Sequence, residues 1–137
     1  MLKMPSSTST GEAVCSYASL DKKLSKAFTD FCKRSAAEEN LQFLTLVKKY
    51  KKSKSSTRAK LFYHIRDAHL GASTSANPVN LDIDCLEAIS RKAEKAILSH
   101  GKLSKDLFDE AEEIIASLVN LDLLPKFQSR IRAQMTG

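Results

Sequence analysis

Residues 27–44 read AFTDFCKRSAAEENLQFL, and the spacing of their apolar positions indicates two helices separated by a short polar break. Before the break, apolar residues recur every three or four positions, which forms one stripe on a helix surface. Ser35 and Glu38 have the spacing of a capping box, in which a hydroxyl and a carboxylate satisfy free N–H groups at a helix start. We therefore predict a second helix that begins after Ser35 and buries the apolar residues Leu41, Phe43, Leu44, Val47 and Tyr50.

The same helical periodicity continues along most of the chain, and no segment has a convincing strand pattern. Residues 72–80, ASTSANPVN, form the clearest predicted loop, because Pro78 disfavours helix at the residue before it. Asp122 is predicted to cap a final helix. The expected fold is therefore all-α, with a flexible polar tail over residues 1–18 and one folded domain over residues 19–135.

Composition narrows the class of protein. The chain has 137 residues and a net charge of +6, and its few glycines and prolines, 4 and 3, and lack of tryptophan argue against a turn-rich repetitive β architecture. No apolar run is long enough to cross a bilayer, and residues 1–14 lack the apolar segment of a secretory signal. Three widely spaced cysteines indicate a reducing compartment, with Cys32 and Cys85 in the core and Cys15 a candidate for acylation. We expect a cytoplasmic protein.

The usual catalytic and ligand-binding patterns are missing from the sequence. It contains neither GxxxxGK[ST] nor GxGxxG, so no phosphate-binding loop is encoded. His64 and His69 are five residues apart on one helix and point to different faces, and His100 stands alone. We interpret all three histidines as surface residues. We accordingly predict no catalytic residues, no metal site and no cofactor.

The strongest charge feature is a run of basic residues after Val47. A solvated helix end, an anionic membrane or acidic protein, and a nucleic acid are all compatible with it. Nucleic acid is the least favoured of the three, because only Tyr50 is available there to stack on bases. The candidate residues for contact with an anionic surface are Lys48, Lys49, Lys51, Lys52 and Lys54.

Three segments together resemble the regulator of G-protein signalling (RGS) domain family. Residues 27–44 carry its Phe-x-x-Phe and Glu-Asn-hydrophobic-x-Phe patterns, and residues 79–82, VNLD, are similar to its loop between the fifth and sixth helices. Residues 107–130, LFDEAEEIIASLVNLDLLPKFQSR, resemble its closing pair of helices. The resemblance runs from about Leu20 to Arg130 in the family's order. It implies a helical bundle of about nine helices in two lobes.

The resemblance also implies a function. Members of this family bind the α subunit of a heterotrimeric G protein (Gα) and accelerate its GTP hydrolysis without a catalytic side chain of their own. The implied partner is Gα in its transition-state form, and the implied location is the inner face of the plasma membrane, with the domain acting as a monomer. The family's contact positions fall on Glu39, Asn40, Asn80, Leu118, Asp122 and Lys126.

The sequence departs from the family pattern at several positions, one of which, Lys126, is a contact position. Leu44 replaces the usual tryptophan, Ala36 and Ala37 replace larger or hydroxyl residues, and Lys126 replaces arginine. Leu123 and Leu124 replace a polar and an aromatic residue, which predicts an extra apolar group at the interface. Some RGS-like domains serve only as docking modules. The alternative prediction is therefore a module without activating function that binds another protein or an anionic membrane.

Overall fold

The computed structural model describes residues 16–71 and 77–136, and these residues contain helices and no strands. A short 3₁₀ turn, Tyr17–Ser19, precedes the first α-helix. The α-helices are α1 Lys22–Arg34, α2 Glu38–Lys52, α3 Ser55–Ile65, α4 Ile83–Leu98, α5 Asp109–Leu118 and α6 Leu124–Thr136. Two π-helical turns, Arg66–Leu70 and Val119–Leu123, extend α3 and join α5 to α6. The prediction of an all-α fold is confirmed.

The predicted count of about nine helices is wrong for the part of the chain described. When helices that follow one another without a break are counted as one, the described residues contain five continuous α-helical segments. Asp122 does not cap a new helix, because the backbone stays helical from Leu118 through Leu124 by way of the π turn. The sequence pattern suggests a helix boundary at this position, whereas the structure has a change of helical pitch within a continuous helix.

The capping box predicted at Ser35 and Glu38 is also absent. Ser35 ends α1, where its N–H donates to the carbonyl of Phe31 at 3.0 Å. Ala36 then takes a left-handed conformation with φ 56°. This reversal separates the two helices, so α2 begins at Glu38 with Ala37 as an N-cap that supplies no side-chain hydrogen bond.

The chain divides into two compact units, residues 16–36 with 117–136 and residues 37–116. In the first unit, Asp21 caps α1 by accepting a hydrogen bond from the Leu24 N–H at 2.8 Å. Phe28 and Phe31 of α1 contact Phe127 of α6, with ring centroids 5.3 and 5.6 Å away. These three rings are buried and form the apolar centre of this unit.

The second unit is built around Phe108, which is fully buried. The rings of Tyr50 and Phe62 lie 4.9 and 6.1 Å from it. The Tyr50 hydroxyl donates to the carbonyl of Ser104 at 2.6 Å, and the buried Arg58 donates to the carbonyl of Leu103 at 2.6 Å. The segment that leads into α5 is thus fixed to α2 and α3 by both apolar contact and hydrogen bonds.

Candidate functional site

Asn80 lies in a short segment that the structure fastens to the end of the first π turn. The N–H of Asn77 donates to the carbonyl of Ala68 at 2.8 Å, and the N–H of Val79 donates to the carbonyl of His69 at 2.9 Å. The Nδ1 atom of His69 lies 2.6 Å from the carbonyl oxygen of Asn77. Three hydrogen bonds therefore hold the chain immediately before Asn80.

The residues on either side of Asn80 are anchored, while Asn80 itself is exposed. Val79 and Leu81 are buried, and the N–H of Leu81 donates to the carbonyl of Val79 at 3.1 Å, which closes a three-residue turn with Asn80 at its centre. Asp82 then caps α4 by accepting from the N–H of Cys85 at 2.8 Å. The Asn80 amide makes no hydrogen bond to any described residue, so it is presented to solvent on a fixed backbone.

Glu39 and Asn40 lie in the first turn of α2. Asn40 is buried, and its Nδ2 donates to the carbonyl of Ala37 at 3.3 Å. One turn further on, the ring of Phe43 meets the ring of His69 edge to face at 6.0 Å. His69 therefore lies between the start of α2 and the segment that carries Asn80, so these elements share one part of the second unit.

Leu118, Asp122 and Lys126 follow at four-residue spacing along the continuous path from α5 through the π turn into α6. The Lys126 ammonium pairs with the Asp122 carboxylate at 3.0 Å, and the Asp122 side chain remains 47% exposed. Within the same turn, the Asn120 side chain accepts from the Tyr17 N–H at 2.9 Å. The exposed carboxylate is thus supported by a cation on one side and by an anchored turn beneath it.

The model of the family described as "Regulator of G protein signaling domain" matches residues 16–131. The chain belongs to the RGS domain family. The comparison of this RGS domain with curated proteins found no match. The predicted membership of this family is thereby confirmed.

The RGS domain buries several of the positions at which its sequence departs from the family pattern. Leu44, Ala37, Leu123 and Leu124 all lie in the core. The apolar group expected at the interface from Leu123 and Leu124 is therefore not on the surface. Leu121, which is 68% exposed, is the leucine of this turn that faces solvent. The π turn explains the difference, because its wider pitch changes which residues of the turn point inward.

His69 was predicted to be a surface residue, and this prediction is wrong, because only 2% of its surface is exposed. His64, one turn earlier, is exposed as expected. The available signal was spacing: His69 is four residues after the buried Ile65, so both side chains share the inward face. Burial lowers the pKa of His69 below its ordinary value, while the hydrogen bond to Asn77 and the charge of Glu39 oppose that shift.

The basic run is only partly available for binding. Lys48, Lys49, Lys52 and Lys54 are exposed, as an anionic-surface contact requires. Lys51 is instead held by carboxylates of α5, since its Nζ lies 2.7 Å from both Asp109 and Glu112. Burial alone would lower the pKa of Lys51, but the two carboxylates outweigh it and raise the pKa above its ordinary value. Lys51 therefore links α2 to α5 within the second unit.

Burial raises the pKa of the Cys85 thiol, and the adjacent Glu110 adds to the rise. Cys32 is buried as well, which agrees with the prediction that both residues belong to the core. Cys15 lies outside the described residues.

Neither a membrane span nor a metal site is found among the residues that the structure describes. None of the helices there combines the length and the apolar character that crossing a membrane requires. Within the same residues, no group of three His, Cys, Asp or Glu side chains is arranged to hold a metal ion.

Proposed function

We propose that this RGS domain binds the α subunit of a heterotrimeric G protein in its transition-state form and accelerates GTP hydrolysis. Gα already supplies the arginine that stabilises the transition state and the glutamine that orients water. A partner that binds this arrangement more tightly than the ground state increases the rate without a reactive group of its own. The domain would act as a monomer at the inner face of the plasma membrane and reduce receptor signalling.

The anchored but exposed amide of Asn80 is the observation that carries this proposal. A carboxamide donates and accepts hydrogen bonds at once, so it can order a backbone group and a side chain of a switch segment together. The turn that holds Asn80 is fixed on both sides, which reduces the conformational freedom lost on binding. Asn80 therefore suits a contact whose geometry must be met in one nucleotide state.

Asp122 would accept hydrogen bonds from backbone N–H groups of the first switch, as the family resemblance implies. Its carboxylate is half-exposed and has Lys126 3.0 Å away, so the ion pair orients it without covering it. Hydrogen bonds from N–H groups to a carboxylate are about twice as strong as those between neutral groups. Leu118, half-buried one turn earlier, would supply an apolar contact.

Glu39 and Asn40 would supply a further contact with Gα at the start of α2. The Nδ2 atom of Asn40 is used inside the domain, where it donates to Ala37. Its Oδ1 accepts no hydrogen bond from the residues described, which leaves this oxygen as the group that a Gα donor would meet. Glu39 is half-buried and offers a carboxylate beside it. The departures Leu44 and Ala37 are buried, so their side chains are not part of the surface offered to Gα.

A second candidate function is a docking module that binds an anionic membrane without activating Gα. The observation that favours it is the group of exposed lysines at the end of α2, namely Lys48, Lys49, Lys52 and Lys54. Such a group near an anionic bilayer contributes about 1 kcal/mol for each lysine at physiological ionic strength. The same lysines would also bring an active RGS domain close to a membrane-bound Gα.

Binding to Gα in different nucleotide states distinguishes the two functions. We expect the domain to bind Gα loaded with GDP and aluminium fluoride at least about 100-fold more tightly than Gα loaded with GDP alone. Asn77→Ala is the matched control for Asn80→Ala, because Asn77 is an exposed asparagine of the same segment whose hydrogen bonds to described residues run through its backbone. Equal binding to both states, together with salt-sensitive binding to phosphatidylserine vesicles, would support the docking module and contradict our first proposal.

A further inference from the structure

His69 is the one histidine of the described residues that is buried, and its hydrogen bonding determines its tautomer. Its Nδ1 lies 2.6 Å from the carbonyl oxygen of Asn77, and a carbonyl oxygen can only accept. Nδ1 must therefore carry the proton. The same ring packs edge to face with Phe43, so the imidazole contacts both α2 and the segment that contains Asn80.

The His69 side chain forms a hydrogen bond in a segment whose backbone has one N–H donor fewer than usual. Residues 77 and 79 use their N–H groups to bond to Ala68 and His69, but Pro78 between them has no N–H to donate. The carbonyl of Asn77 precedes that proline, and the His69 ring is the group that holds it. His69 thus bonds to the segment twice: its side chain bonds to the carbonyl of Asn77, and its own carbonyl accepts from the N–H of Val79.

We propose that His69 is a positioning residue for Gα activation: its Nδ1–H bond to the Asn77 carbonyl holds the turn that presents the Asn80 amide. This inference rests on the proposed function, since the amide matters only if it meets Gα. The mechanism is preorganisation. If the bond is lost, the turn occupies other conformations. The affinity for the transition state is then reduced in proportion to the fraction of molecules in which Asn80 is correctly placed.

Two substitutions separate the hydrogen bond from the bulk of the ring. His69→Phe keeps the ring and its contact with Phe43 but removes the donor. His69→Asn places an N–H near the position of Nδ1, so it keeps the donor and shortens the ring. We expect His69→Phe to lower the single-turnover rate constant for GTP hydrolysis about tenfold, and His69→Asn to remain within about threefold of the native domain. His64→Phe, at the exposed histidine of α3, is the matched control and should have no effect.

The decisive readout is the coupling between His69 and Asn80. If His69 acts through Asn80, then His69→Phe in an Asn80→Ala background should change the rate less than about twofold. A full tenfold loss in that background would overturn the inference, because it would show that His69 acts independently of Asn80. Native activity of His69→Phe alone would overturn it as well. Native activity of Asn80→Ala would overturn the proposed role of Asn80 and, with it, this inference.

A measurement on the native domain covers the case in which His69→Phe does not fold. The ¹⁵N chemical shifts of the imidazole distinguish a protonated Nδ1 from a protonated Nε2. We expect the Nδ1–H tautomer at neutral pH, with the Nδ1 proton protected from exchange, because the His69 side chain is buried and its Nδ1 is hydrogen-bonded. A protonated Nε2 with a bare Nδ1 would contradict the proposal, because Nδ1 would then have no proton to donate to Asn77.

Discussion

Replacing Asn80 by alanine should separate binding to Gα from the stability of the domain. The Asn80 side chain is exposed and makes no hydrogen bond to a described residue, so its loss should change the free energy of unfolding by less than about 0.5 kcal/mol. In the complex, the amide would make two hydrogen bonds, each worth about 0.5–1.5 kcal/mol. The expected loss of affinity for the transition-state form is therefore about 1–3 kcal/mol, or roughly 5- to 150-fold.

Isothermal titration calorimetry with Gα loaded with GDP and aluminium fluoride measures that loss, and thermal denaturation measures stability. Asn77→Ala should match the native domain in both assays, because the Asn77 side chain is exposed and its bonds run through the backbone. The reasoning would be refuted if Asn80→Ala bound with native affinity. It would also be refuted if the two substitutions weakened binding equally.

Three further predictions concern buried and charged groups. Tyr50→Phe should lower the free energy of unfolding by about 1 kcal/mol in a urea titration, because the Ser104 carbonyl loses its donor. Burial raises the pKa of Tyr50 to about 12, so stability should fall as pH rises from about 10 towards that value, and Tyr50→Phe should flatten this fall. Because the pKa of His69 is lowered in the folded state, the free energy of unfolding should be highest above about pH 6.5 and should fall below it. In that range the unfolded chain takes up a proton that the folded state resists. Urea titrations at several pH values should show this fall in the native domain and not in His69→Asn. Lys126→Ala should weaken binding to Gα while changing stability by less than about 0.5 kcal/mol, whereas Lys126→Arg should bind at least as well as the native domain, because arginine can hold Asp122 with two hydrogen bonds.

The sequence contains enough information to predict the fold class and part of the core, although Leu24, Ile97 and Ile114, which share the apolar periodicity, are exposed. The spacing of Phe28, Phe31 and Cys32 predicts an apolar stripe, and all three are buried. Such stripes are reliable because one face of each helix must leave water. The end of α1 was less predictable, since the left-handed Ala36 has no sequence signal of the kind that glycine provides.

The candidate site was predictable in its residue types and less so in its geometry. Asn80 was assigned from its motif, but the hydrogen bonds that fix its turn come from the backbone of a distant helix end, which no local pattern encodes. His69 was missed because histidine is intermediate in burial among the residue types, and only its register with Ile65 pointed inward. Lys51 belongs to a run of lysines that otherwise face solvent, and its pairing with α5 depends on tertiary packing.

Single-turnover hydrolysis of GTP by Gα, measured with and without the domain, tests the central claim most directly. The assay uses a panel of α subunits that covers the Gα classes. We predict that at least one Gα hydrolyses GTP about tenfold faster or more when the native domain is present, and that Asn80→Ala removes most of this gain. Unchanged hydrolysis across the whole panel by a folded domain would contradict the account.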